Sequence, residues 1–182
     1  MRYHIFTDGA CSKNPGPGGW AVVVMNEEEN QIIFSEYDTD DYTTNNRMEL
    51  QAMICALHYA LERPEDTFII YSDSAYVVNS INSWQRSWAA NGWRNSKKQT
   101  VENLEQQKYI YELMQSTFFP PEVRKCDGHT GDLGNELADA LATRNTRKWD
   151  ELIETWDIAS EELEARNRML GNWNGANWFP LD

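Results

Sequence analysis

Hydrophobic and polar positions change their period several times along this chain, and each change marks an element. Arg2–Asp8 alternates, with Tyr3, Ile5 and Thr7 on one face, which predicts a strand. NPGPGG (Asn14–Gly19) breaks it. Trp20–Met25 and Gln31–Tyr37 are further β-rich runs, separated by the polar NEEEN of a hairpin turn. From Leu50 the period becomes helical, with Met53, Ile54, Leu57 and Leu61 on one stripe, Thr44, Asn45 and Asn46 as cap candidates and Pro64 beyond the end. TFIIYS (Thr67–Ser72) is nearly continuous apolar sequence, as expected of a central buried strand. Ala75–Ile81 and the Trp84/Trp88 pair predict helix up to Asn91-Gly92, and Thr100–Ser116 predicts a second helix, ended by Pro120-Pro121. Val123–Asp127 is a short fifth strand, Asp132–Arg147 a helix with Leu133, Leu137, Ala138 and Leu141 inward, and Trp149–Leu170 a last helical region. Three adjacent strands followed by strand–helix alternation predict an α/β domain: a mixed five-stranded sheet flanked by helices.

Composition narrows the class. The chain has 182 residues, 41% hydrophobic and 12% aromatic, enough for one domain with a real core and an appendage. No apolar run reaches membrane-spanning length, and the N-terminus lacks a secretory pattern, so no membrane association is expected. Cys11, Cys55 and Cys126 have no metal-ligand spacing, so reduced thiols in a cytoplasmic protein are the default.

The net charge of −13 looks hostile to nucleic acid, but its distribution changes that picture. From Ser74 to Val101 there is no acid, while Arg86, Arg94, Lys97 and Lys98 all fall there. The segment 149–182 holds eight acids and two bases, almost half of the excess.

Four carboxylates stand out by position. Asp8 and Asp73 end the first and fourth strands, where ligands bind in open α/β sheets. Glu49 sits in the first turn of the first long helix, and Asp139 on the polar face of the last core helix. Taken singly, each has an ordinary role: a turn former, a capping residue three positions after Asn46, a solvated charge. Brought together they repel, and a divalent cation offsets that. Oxygen-only ligands suit Mg²⁺ or Mn²⁺, and four acids suffice for two ions.

The stretches around these residues are FTDGACSKNPGPGGW (Phe6–Trp20), TTNNRMEL (Thr43–Leu50), YSDSAYV (Tyr71–Val77) and GHTGDLGNELADALA (Gly128–Ala142). In this order they resemble the bacterial ribonuclease H type 1 family over about residues 1–148. The resemblance implies a ribonuclease H-like catalytic domain over 1–148; residues 149–182 lie outside it and read from their own composition as an acidic, Trp-rich C-terminal extension with helical character. It implies an endonuclease that hydrolyses the RNA strand of RNA–DNA hybrids with two Mg²⁺ ions (Mn²⁺ as a substitute), leaving 5′-phosphate and 3′-hydroxyl ends. Asp8, Glu49, Asp73 and Asp139 match its metal-binding carboxylates. His129 matches its flexible-loop histidine, and a Gly-flanked imidazole can trade a proton near neutral pH. Cys11, Asn14, Asn45 and Glu49 match its contacts to the RNA. Thr44, Asn46 and Asn103 match a phosphate pocket for the DNA strand. Trp84, Trp88 and Trp93 match its substrate-handling protrusion, an aromatic and cationic surface suited to sugars and phosphates; core packing is their rival role. The alternative on the same fold is a catalytically weak hybrid-binding module, which would have no need for a self-repelling acidic cluster.

The extension holds Trp149, Trp156, Trp173 and Trp178, half of the tryptophans. Docking on the core is its ordinary role. Self-association, a protein-partner site and a charged lid over the basic protrusion are the rivals.

The chain departs from more basic family members at Ala89, Ala90, Glu102 and Asp127, and it has Ala75 where many carry a glutamine. Every phosphate left without a cationic partner weakens binding and flattens its salt dependence. The expected outcome is a higher KM for hybrid than a basic relative shows at matched salt, with a shallower decline of affinity as salt rises. Steady-state kinetics across a salt series checks it.

Overall fold

Both faces of Trp20–Met25 are apolar because both are covered. In the computed structural model, which describes residues 1–126 and 132–155, this run lies within a five-stranded sheet. Its strands are β1 (Arg2–Cys11), β2 (Gly16–Asn26), β3 (Ile32–Thr43), β4 (Thr67–Ser72) and β5 (Glu122–Lys125), in the order β3-β2-β1-β4-β5. β1–β2 and β2–β3 are antiparallel; β1–β4 and β4–β5 are parallel. This is the mixed sheet that the order of elements predicts.

The pleat sends alternate side chains to two cores. On one face Ile5, Val22, Val24 and Ile70 meet helix α1 (Asn45–Leu61), which is buried along most of its length. Helix α2 (Ala75–Asn79), a π-helical turn (Ser80–Trp84), helix α3 (Gln85–Ala90) and helix α4 (Leu104–Gln115) complete that side. On the other face Phe6, Ala21, Val23 and Met25 meet helix α5 (Leu133–Ala142). Gly134 makes that packing close, because a Cβ there would strike the Phe6 ring. Among the described residues no helix is long and apolar enough to cross a membrane.

Several boundaries differ from those the pattern predicts. The glycine-rich stretch is partly strand: β2 starts at Gly16, and Gly18 and Gly19 pair with Cys11 and Ala10. Pairing overrides poor β-propensity here. β3 runs past Tyr37 to Thr43 through polar sequence, and near its end the Asp38 and Asp40 carboxylates accept hydrogen bonds from the backbone N–H groups of Thr39 and Tyr42. α1 starts at Asn45, and of the three cap candidates it is Thr44 that caps the helix, accepting from the Arg47 N–H. α4 starts at Leu104, after Asn103 in a left-handed conformation, rather than at Thr100.

The helix expected over Asp132–Arg147 breaks after Ala142. Arg144, at a φ of 56°, turns the chain into helix α6 (Thr146–Glu154), where the pattern predicts one helix running on to Arg147 and another starting at Trp149. Trp149 is 2% exposed and fills the second core beside Phe6, Leu137 and Leu141. The expected helix beyond Thr155, and Trp156, Trp173 and Trp178, lie outside the described residues.

Trp149→Ala should therefore cost about 3–5 kcal/mol, the range for truncating a large buried aromatic. Urea unfolding monitored by far-UV circular dichroism measures it, and a truncation after Lys148, which removes Trp149, should lose at least as much stability.

Candidate active site

The parallel pairing of β1 with β4 decides where two carboxylates go. Thr7 is registered with Ser72, so Asp8 on β1 lies next to Asp73, the residue that follows β4. The third carboxylate comes from α1. Gly9 lets the helix close on the strand, since a Cβ there would collide with the Met48 and Glu49 backbone. Ligand oxygens of Asp8, Glu49 and Asp73 consequently all lie within 4.8 Å of one another. Asp8 and Glu49 are buried, and one Glu49 oxygen, Oε2, has no hydrogen-bond partner among the described residues.

Glu49 is the fifth residue of α1, not a first-turn cap. Thr44 is the cap, and that leaves the Glu49 carboxylate to face the strand ends. Asp139, on α5, stands beside this trio rather than within it. It acts on Asp8 through charge and a hydrogen bond, and on Asp73 through charge. Its Oδ2 accepts a hydrogen bond from Lys148 Nζ at 2.8 Å.

The crowding holds protons on the cluster. Burial pushes the Asp8 carboxyl up to about 8; the charges of Asp73 and Asp139 and a hydrogen bond that the protonated Asp8 donates to Asp139 add to this, and a hydrogen bond with Glu49 opposes it. Burial, then the charges of Asp8 and Asp73, hold Glu49 well above the usual glutamate range. Asp73 is raised by burial and by Asp139, with the Lys125 ammonium pulling it down. The donors are all hard oxygens, three of them forced within 4.8 Å of one another, a donor set that suits a hard divalent cation.

The other positions singled out in the sequence form two borders. On one, the Asn45 N–H donates to Asn14 Oδ1, which ties the glycine-rich turn to the start of α1, and Cys11 Sγ lies 3.4 Å from the carbonyls of Gly16 and Thr43. Asn45 and Asn46 are exposed beside Thr44. Asn103 belongs to the same region: Gln106, one turn into α4, donates to the Arg47 carbonyl, so the starts of α1 and α4 meet.

On the other border the tryptophans form a chain. Ring centroids of Trp84 and Trp88 are 5.9 Å apart and those of Trp88 and Trp93 6.5 Å, with Tyr76 and Tyr111 at its ends. They are partly exposed rather than core, and Trp84 and Trp88 line an open groove of about 780 Å³ with Arg94 and Lys98. His129 lies outside the described residues.

Three features were missed from sequence. Tyr76 accepts hydrogen bonds from Asn103 and Gln107, linking the tryptophan border to the start of α4. Gly9 had a signal, a glycine directly after a strand-end acid. Lys148 had none, because its reach to Asp139 depends on the break at Arg144.

Comparison with known proteins agrees with this architecture. The family model for RNase H matches residues 1–147. The Ribonuclease H of Syntrophomonas wolfei is 46% identical over 146 residues, covering 79% of this chain and 94% of that protein. The Ribonuclease H of Verminephrobacter eiseniae is 42% identical over 161 residues, covering 88% and 99%. Among solved structures, the RNase H domain of PFV superposes with a TM-score of 0.69 at 26% identity, covering 81% of this chain and 96% of that one.

The raised carboxyls yield a stability prediction. The folded chain keeps the Asp8 proton until about pH 8, whereas an ordinary aspartate releases it near 3.8. The folded state thus binds more protons in that window, and in chelator its stability falls as pH rises from about 4 to 8. Asp8→Asn removes part of that repulsion and should stabilise the chelated protein by about 2 kcal/mol at pH 8, with the gain vanishing toward pH 4. Thermal unfolding in EDTA across that range measures it.

Proposed function

The chain belongs to the ribonuclease H family, and from that premise we propose that it is an endonuclease cutting the RNA strand of RNA–DNA hybrids with two Mg²⁺ ions, leaving 5′-phosphate and 3′-hydroxyl ends. The observation that carries this reading is the gathering of Asp8, Glu49 and Asp73 within 4.8 Å, with Asp139 beside them. A buried, partly protonated carboxylate cluster with an orphaned Glu49 oxygen is costly as a structural feature. It fits a site for hard divalent cations, in which these four side chains hold the metal. When bound, such ions polarise the scissile phosphodiester and activate water for attack.

The remaining roles belong to the chain itself. Asn14, Asn45 and Cys11, on the border nearest α1, read the RNA strand, where 2′-hydroxyls distinguish it from DNA. Thr44, Asn46 and Asn103 hold a phosphate of the DNA strand at the meeting of two helix starts, where backbone N–H groups favour an anion. Trp84, Trp88 and Trp93 lie under the sugars of that strand, with Arg94 and Lys98 near its phosphates. His129 takes or delivers a proton during the reaction.

The test is cleavage of one labelled sequence presented as RNA–DNA hybrid, duplex RNA, duplex DNA and single-stranded RNA in Mg²⁺. The expected result is cutting of the RNA in the hybrid alone, abolished by chelator and reduced at least about 10³-fold by Asp8→Asn, the scale of losing a main electrostatic element of a site. Hybrid that is bound but left uncut, in Mn²⁺ as well, would replace this reading with the binding module.

A further inference from the structure

We propose that Lys148 is a tethered counter-ion for Asp139, which a divalent cation must displace from the fourth carboxylate, so that this lysine sets how much metal the site requires. The inference rests on the metal-centre reading above and deepens it.

The geometry is specific. Lys148 Nζ lies 2.8 Å from Asp139 Oδ2, with the two side chains 31% and 43% exposed. Three contacts fix the lysine's backbone. Arg144 in its left-handed conformation reverses the chain, and the Asn145 N–H donates to the Ala140 carbonyl. Asn145 Oδ1 accepts from the Lys148 N–H at 3.0 Å, capping α6. Trp149, the next residue, is sunk in the core.

The neighbouring cations of this turn go elsewhere. Arg147 pairs with Glu151 on the outer face of α6, and Arg144 lies over the Tyr37 ring. Among the described residues around the cluster, Asp8 and Asp73 press their charge on Asp139's side, and Lys125 offsets Asp73 from β5. Lys148 is thus the cation that the fold delivers to the fourth carboxylate.

An ammonium and a metal ion compete for the negative charge of one carboxylate. Asp139 charge offset by Lys148 is withheld from a cation shared with Asp8, and the exchange costs the ion pair. A half-exposed ion pair is weak, so it tunes metal affinity rather than abolishing it.

The experiment is calorimetric titration of Mn²⁺, and separately Mg²⁺, into the substrate-free full chain. Lys148→Gln should bind the metal about three- to fivefold more tightly than the unsubstituted chain, the factor that corresponds to a partly exposed ion pair. Lys148→Arg should keep the original affinity. In an Asp139→Asn background, Lys148→Gln should change nothing. Unchanged or weaker binding by Lys148→Gln overturns the proposal, as does an effect that persists without Asp139. Lys148→Met, which keeps the aliphatic stem, replaces the glutamine variant if that one does not fold by circular dichroism. Asp8→Asn separates the two ideas: metal binding that survives it intact overturns the metal centre itself, whereas loss there with no effect at Lys148 overturns the counter-ion alone.

Discussion

Like charges do not gather in a dry place unless the backbone leaves them no other. Here the parallel register of β1 with β4 brings Asp8 to Asp73, and the missing side chain of Gly9 lets α1 carry Glu49 onto the same spot. The rest of the fold holds that arrangement shut. α1 is clamped between the sheet and α4, and α5 is seated on the opposite face through the contact of Gly134 with Phe6. Two well-packed cores supply the stability that the cluster consumes, a common division between scaffold and site.

Most of this fold was legible because its signals are local. Strand alternation, the helical stripe after Met48 and the acids at the ends of β1 and β4 all follow from neighbours in sequence. What was not legible depends on partners far along the chain. Gly16–Gly19 reads as a turn until β1 and β3 pair with it. Glu49 reads as a cap until the helix is seen to begin at Asn45. Trp149 reads as part of an acidic tail until Arg144, which carries no glycine-like signal for its left-handed φ, folds it into the core. The same break hides the link between Lys148 and Asp139.

The two borders of the cluster are mechanically joined. Tyr76 touches Trp84 by its ring and takes hydrogen bonds from Asn103 and Gln107 by its hydroxyl. Gln107 also donates to Ser80, at the start of the π-helical turn, and Gln85 donates to Gln107 from the end of it. A polar network that is satisfied on every side is stiff. The tryptophan border and the start of α4 therefore keep a fixed spacing.

The outer strand bears on a different matter, how the molecule behaves among its own copies. Among the described residues β3 is an edge of the sheet, twelve residues long, and an uncovered edge of that length is a template for another strand. Near its end Asp38 and Asp40 fold back to occupy the Thr39 and Tyr42 N–H groups, and Asp41 adds a further negative charge. An approaching copy meets donors already engaged and a row of charge like its own. The polar DTDD that looked like the end of a strand thus carries engaged donors and like charge, two features by which edge strands resist edge-to-edge pairing.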